Sequence, residues 1–184
     1  MASIVETSRN TKGRALPYKL GLSMEEDFDP IAEAKNHWAK RWPEHSSYMA
    51  AATSIMRAQQ LILKATDDAL RPYGLTFARY EALMLLSFTR RGELPLSKLG
   101  QRLMIHPTSV TNIVDRLAQD GLIERVPHPT DRRTTLAAIT DLGRKLAEEA
   151  TVAVHEVNFG ISHLTDDDNE EVVRVVNSIR NLGK

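Results

Sequence analysis

The sequence contains no cysteine, and this absence excludes several kinds of site at once. Disulfides, thiolate metal sites, a cysteine nucleophile and cysteine-based redox sensing all require that residue. Long apolar runs are also missing, since stretches such as residues 82–86 are far too short to span a bilayer. No basic segment followed by an apolar stretch opens the chain, so we expect no secretory signal and a cytoplasmic protein without membrane partners.

The signatures of catalysis and of metal binding are lacking as well. The nine glycines are scattered rather than gathered in a phosphate-binding loop, and no Gly-x-Ser-x-Gly turn occurs. The three consecutive acids at 166–168 stand at a predicted helix start, where they complement the helix dipole. None of the six histidines forms a pair with the close spacing typical of zinc sites. We therefore expect no enzyme, no bound metal and no cofactor.

The formal net charge is zero, but the charges are distributed unevenly. Residues 97–145 carry eight Lys and Arg against five Asp and Glu, a net charge of +3. Residues 146–184 carry three against eight, a net charge of −5. The affinity of a protein for duplex DNA follows locally placed cations more than the global sum. The neutral total is therefore compatible with DNA binding, although it does not predict it.

Proline, glycine and capping residues divide the chain into helices and one pair of strands. Asp29 and Pro30 suit a helix start, and Pro43 suits its end. The apolar spacing places four residues of a later helix on a core face: Tyr80, Leu83, Met84 and Phe88. Thr76, Thr140 and Thr165 are predicted caps. The predicted helices span about 29–42, 44–70, 76–88, 97–103, 107–120, 140–163 and 165–182, and the strands 122–127 and 134–139.

The helices predicted at 97–103 and 107–120 are typical of a helix-turn-helix. In the second one, an apolar face leaves short polar residues outward: Thr108, Ser109, Thr111, Asn112, Asp115 and Arg116. Asn can pair with adenine and Arg with guanine in the major groove, while hydroxyls at a helix start suit phosphate. From this helix alone, an ordinary solvated face rich in Ser and Thr remains an open alternative.

The two strands that follow are joined by a turn that carries Asp131, Arg132 and Arg133. Guanidinium groups on a projecting tip can enter a narrow minor groove, and Asp131 can hold one of them in place. A soluble tip protected by charge is the plain alternative. Because the hairpin directly follows the helix-turn-helix, the two features together predict a protein that binds double-stranded DNA.

The sequence resembles the MarR family of bacterial winged-helix regulators. The resemblance is carried by residues 96–103, 107–117, 120–125, 131–133 and 136–143. It implies a mainly α fold with a small β-hairpin wing, formed by a winged helix-turn-helix and a helical dimerisation domain. It also implies that Arg132 enters the minor groove with Asp131 as its supporting acid. Members are typically homodimers, and many are repressors that a small phenolic or carboxylate ligand releases from DNA.

The helices on both sides of the DNA-binding unit carry more apolar residues than so small a unit can cover, which independently favours a dimer. The predicted organisation is a flexible arm (1–24), an additional helix (25–43), a helical dimerisation region (44–75 and 140–184) and a winged helix-turn-helix domain (76–139). A two-fold dimer would present its two major-groove helices one DNA turn apart, as a pseudo-palindromic operator requires.

The additional helix at 25–43 resembles that of a subgroup of urate-responsive regulators, which carry a Trp on it. This resemblance implies ligand contacts from Trp38, Glu81 and Arg125. Ile113 stands where the subgroup has a further Arg, which argues against urate itself. Core or dimer packing is the alternative for Trp38, and a solvated or ion-paired position is the alternative for Glu81. A DNA-binding regulator or architectural protein without any ligand response is the alternative for the whole chain.

Overall fold

The computed structural model describes residues 28–131 and 133–181. Its helices are α1 (Pro30–Arg41), α2 (Ser46–Leu70), α3 (Phe77–Ser87), α4 (Leu96–Leu103), α5 (Pro107–Gln119), α6 (Asp141–Glu156) and α7 (Asp166–Asn181). Its strands are β1 (Glu93–Pro95), β2 (Ile123–Pro127) and β3 (Thr135–Ile139). The predicted fold class, mainly α with a small wing, is confirmed. The arm predicted at 1–24 lies outside the described residues. Among the described helices, none is long and apolar enough to cross a membrane.

The chain divides into two compact units, residues 1–51 and residues 52–184, and each is described by itself. In the first unit, the Asp29 carboxylate accepts hydrogen bonds from the backbone N–H groups of Ile31 and Ala32. This cap and Pro30 in the first turn start α1 as predicted. Trp38 packs against Trp42 with ring centroids 5.1 Å apart, so Trp38 forms part of an aromatic pair at the end of that helix.

In the second unit, the core lies among α3, α4, α5, α6 and the sheet. Its fully buried members include Leu83, Leu99, Leu117, Ile123 and Val154. The sheet is antiparallel with the strand order β1-β3-β2, so the predicted hairpin gains a third strand on its β3 side. Glu93 of β1 pairs with Ala138 of β3, which joins the helix-turn-helix to the wing.

Three local predictions are corrected by the structure. Phe88 does not face the core, because it lies just after the last turn of α3 and is 77% exposed. Thr76 makes no side-chain cap of α3. Instead, the Asp67 carboxylate accepts a hydrogen bond from the Phe77 N–H at 2.7 Å. The helix predicted to reach residue 163 ends at Glu156, because the chain turns through left-handed conformations at residues 158–160.

Candidate nucleic-acid interface

The turn between α4 and α5 is tight. Two residues make it possible, Gly100 within α4 and Met104 at the C-cap of that helix. Met104 adopts a left-handed conformation with φ of 55°, and the carbonyl of Gly100 accepts a hydrogen bond from the Ile105 N–H at 3.2 Å. A Cβ on Gly100 would lie 2.8 Å from Cγ2 of Val110. Glycine at this position therefore allows α4 and α5 to pack at the close distance that a helix-turn-helix needs.

The first turn of α5 is capped by a histidine. Nδ1 of His106 accepts a hydrogen bond from the backbone N–H of Thr108 at 3.2 Å, and Pro107 occupies the first turn. This contact uses the neutral imidazole, with Nδ1 unprotonated. The sequence predicted the start of α5 at this position, with His106 or a neighbouring residue opening the helix. The cap fixes the direction in which the exposed residues of the first turn point.

The two faces of α5 separate as the sequence predicted. Val110, Val114 and Leu117 are buried against the core. The five α5 residues predicted to contact DNA are all exposed: Thr108, Ser109, Thr111, Asn112 and Arg116. The Thr111 hydroxyl donates to the Pro107 carbonyl at 3.2 Å, which holds this short side chain close to the helix. The result is an exposed polar face on a helix whose other side is anchored in the core.

The turn between β2 and β3 is closed by hydrogen bonds to Asp131. Its carboxylate accepts from the Thr134 hydroxyl at 2.7 Å and from the Arg133 backbone N–H at 3.0 Å. These two bonds stabilise the charged carboxylate, so the pKa of Asp131 lies below its ordinary value. Nδ1 of His128 also accepts from the Asp131 N–H at 3.2 Å. Arg133 is exposed, and Arg132 lies outside the described residues.

Arg125, a predicted ligand contact, lies on β2 and pairs with an acid of α5. Its Nη2 is 2.5 Å from Oδ1 of Asp115, and both side chains are partly exposed. The ion pair therefore links the base of the wing to α5 and orients the two elements relative to each other.

Glu81, another predicted ligand contact, lines a groove of about 500 Å³ between α3 and α6. The groove is mostly apolar and is lined by Phe77, Tyr80, Glu81, Met84, Leu85, Phe88, Arg102, Leu103, Thr151, His155 and Phe159. Glu81 is exposed on the surface, but its carboxyl loses part of its hydration in the groove wall. This partial desolvation raises the pKa of the carboxyl above its ordinary value. Arg125 does not line this groove, and Trp38 belongs to the first unit.

Sequence reasoning did not find the polar groups that line the groove together with Glu81. The Tyr80 hydroxyl lies 3.0 Å from Oγ1 of Thr151, and Arg102 and His155 stand on the groove wall. These residues come from three helices, and no linear motif connects them. Within residues 28–131 and 133–181, no group of three or more His, Asp or Glu side chains is placed to hold a metal ion.

Comparisons with known proteins agree with this architecture. Residues 75–135 match the model of the MarR family. The uncharacterized HTH-type transcriptional regulator YhbI of Bacillus subtilis (strain 168) is 31% identical over 121 residues, which cover 66% of this chain and 75% of that protein. The crystal structure of Sco5413, a MarR family transcriptional regulator from Streptomyces coelicolor, is 50% identical with a TM-score of 0.69. That match covers 74% of this chain and 95% of Sco5413.

A second similar structure contains a ligand. CouR from Rhodococcus jostii RHA1, solved bound to p-coumaroyl-CoA, is 27% identical with a TM-score of 0.58. The match covers 72% of this chain and 87% of CouR.

Proposed function

Because this chain belongs to the MarR family of DNA-binding transcriptional regulators rather than to a family of enzymes, we propose that it is a homodimeric repressor. In this proposal it binds a pseudo-palindromic operator and leaves it when a small molecule binds. The observation that carries the proposal is the exposed polar face of α5, which is anchored by a buried apolar face and flanked by a wing. A helix of this kind can enter the major groove.

Each proposed DNA contact has a distinct chemistry. Asn112 and Arg116 lie one turn apart on the exposed face of α5, where an amide can pair with adenine and a guanidinium with guanine. Thr108 and Ser109, in the first turn, suit phosphate oxygens. Thr111 is short enough to let the α5 backbone approach the base edges.

The wing contributes the remaining proposed contacts. We assign the minor groove to Arg132 and an adjoining phosphate to Arg133, with Asp131 holding the turn. The hydrogen bonds of Asp131 to Arg133 and Thr134 support this assignment, because they preorganise the turn that carries the two arginines. The assignment of Arg132 itself rests on the sequence.

Exposed aliphatic side chains support the homodimer. Several large apolar residues on α2, α6 and α7 are at least 40% exposed, among them Ile55, Met56, Leu61, Val152, Val172, Val173, Val175 and Ile179. Exposed apolar side chains in such number favour a protein interface, because soluble monomers rarely expose large apolar patches. A second copy of the chain would cover these faces and supply a second α5 for the other half-site.

Replacement of Asn112 by alanine tests the DNA-reading role of α5. Duplexes selected from a random library by the wild-type protein should carry two inverted half-sites about one helical turn apart. Asn112→Ala should weaken binding to the selected duplex by about 1–3 kcal/mol while binding to an unrelated duplex changes little, because a base contact is lost. Affinities are measured by titration at one fixed salt concentration.

The matched control for this test is Asn36→Ala, which removes the same side chain from an exposed position of α1. It should bind both duplexes like the wild type. Equal losses of Asn112→Ala on the selected and the unrelated duplex would make Asn112 a backbone contact and contradict its reading role.

We propose the groove between α3 and α6 as the site of the small-molecule effector. Its apolar walls suit an aromatic ring, and Arg102, His155 and the Tyr80 hydroxyl offer polar partners for a carboxylate or a phenol. The p-coumaroyl-CoA complex of CouR supports an aromatic ligand in a related protein. The raised pKa of Glu81 keeps this carboxyl protonated to a higher pH, which reduces its repulsion of an anionic ligand as the pH falls.

Thermal unfolding in the presence of 4-hydroxybenzoate or urate tests the effector site. A ligand at about one hundred times its Kd stabilises the folded protein by about 2.7 kcal/mol and raises Tm. Arg102→Gln should abolish the rise for the carboxylate, whereas Arg174→Gln, on α7, should keep it. A bound ligand should also weaken binding to the selected duplex. An unchanged Tm with a panel of aromatic acids and purines would instead support a regulator without ligand response.

A further inference from the structure

A second cavity, of about 490 Å³, lies between the start of α3 and one flank of α5. It is lined by Thr76, Arg79, Asn112, Ile113, Arg116 and Asp120. Two guanidinium groups and one carboxylate give this lining one net positive charge. The cavity between α4 and α5, by contrast, has no charged residue in its lining. The exposed face of α5 is therefore bordered by a cationic cavity on the side of α3.

Arg79 is held in this cavity by two contacts and is only 23% exposed at its side chain. Its Nη1 lies 3.6 Å from Oδ2 of Asp120, and its Nε donates to Oγ1 of Thr76 at 3.5 Å. A guanidinium has five N–H donors, so these two long contacts leave it the capacity to bind a further acceptor. The side chain is thus positioned before any ligand arrives, which reduces the entropy lost on binding.

We propose that this cavity binds a phosphate of the DNA backbone, with Arg79 and Thr76 as its ligands beside the major groove that α5 enters. The inference rests on the proposed function, because it requires that the exposed face of α5 meets the duplex. Asn112 and Arg116 belong to that face and also line the cavity. When α5 occupies the major groove of DNA, the cavity therefore faces the DNA backbone at the edge of that groove. Contacts of this kind fix the register of a protein on DNA without reading its sequence.

Arg79→Gln tests the proposal in the full-length protein. Loss of one phosphate contact should reduce the slope of log K against log salt by about 0.9, which corresponds to about eightfold weaker binding at 0.1 M salt. The loss should be equal for the duplex selected by the wild type and for an unrelated duplex of the same length. Arg79→Lys, which keeps the charge, should keep the slope. Urea unfolding of each variant shows whether it is folded.

Asp120→Asn separates phosphate binding from a purely structural role of Arg79. If Arg79 only ties α3 to α5 through Asp120, then Asp120→Asn should weaken DNA binding as much as Arg79→Gln, and this result would overturn the proposal. If Arg79 binds phosphate, removal of the neighbouring carboxylate should leave the affinity unchanged or raise it, because one repulsive charge is lost.

The remaining outcomes distinguish this inference from the function on which it rests. If the wild type selects no duplex, both fail. If the wild type and Asn112→Ala behave as expected but Arg79→Gln keeps the wild-type affinity and salt slope, only the phosphate site fails. Arg174→Gln serves as the charge-matched control, because Arg174 lies on α7 and pairs with Glu171 of the same helix. It should change neither the affinity nor the slope.

Discussion

Replacing Gly143 by alanine should destabilise the protein by about 2–4 kcal/mol, although alanine is the better helix former. Gly143 is buried in the first turn of α6. A Cβ at this position would lie 2.0 Å from the carbonyl oxygen of Leu122 and 2.9 Å from its carbonyl carbon. These are backbone atoms and cannot rotate away, so the start of α6 and the chain before β2 would have to separate.

That separation would break a set of contacts around Thr140, the N-cap of α6. Its hydroxyl donates to the Gly121 carbonyl at 2.9 Å and accepts from the Gly143 N–H at 3.0 Å. Its backbone N–H donates to the Leu122 carbonyl at 3.1 Å. The helix start and the residues between α5 and β2 are therefore held together by the atoms that a Cβ would displace.

The matched control is Gly74→Ala. Gly74 has φ of +67°, and a Cβ at this position would meet no atom within 4 Å. Alanine there should therefore pay only the cost of a left-handed backbone, about 1–2 kcal/mol. Urea unfolding at one protein concentration should rank the wild type first, Gly74→Ala second and Gly143→Ala last. A Gly143→Ala variant at least as stable as the wild type would show that α6 can move away from Leu122 without cost.

Local signals explain which elements could be predicted from the sequence. The starts of α1 and α5 were predicted because a capping residue and a proline stand together at each one, Asp29 with Pro30 and His106 with Pro107. The separation of the two faces of α5 followed from the spacing of its apolar residues. These signals need no information from the rest of the chain.

Features that depend on distant partners were not predicted. The three residues of β1 are too few to show an alternating pattern, and they form a strand only because β3 offers its free edge. The cap of α3 comes from Asp67, ten residues before Phe77, rather than from the adjacent Thr76. Phe88 keeps helical spacing but lies beyond the last turn of α3, where the described part of the chain leaves most of its side chain exposed.

The two parts of the candidate site differ in the same way. The exposed residues of α5 and the turn at Asp131 lie within thirty residues of one another, and their order along the chain is itself informative. The groove between α3 and α6 combines Tyr80, Arg102 and His155, whose proximity depends on the packing of separate helices. Sequence reasoning could therefore predict the exposed polar face of α5 and the turn at Asp131, but not the polar residues that line the groove.

Replacing Leu117 by alanine should lower the free energy of unfolding by about 2–5 kcal/mol, because a fully buried side chain is removed and a cavity remains. Leu117 anchors the last turns of α5 to the core, on the side of the helix opposite Asn112. Leu142→Ala is the matched control, since Leu142 is 57% exposed and its truncation should cost far less. Leu117→Met, which nearly conserves volume, should cost less than about 1.5 kcal/mol.

The same variant separates stability from DNA recognition. Leu117→Ala leaves every proposed DNA-contacting side chain of α5 in place, so at temperatures well below its Tm it should bind the selected duplex with nearly wild-type affinity. Binding should then be lost at a lower temperature than for the wild type, in step with unfolding measured by circular dichroism. A large loss of affinity in the fully folded variant would contradict this expectation. It would mean that the cavity behind α5 shifts the helix, and that DNA binding depends on core packing as closely as on the exposed residues.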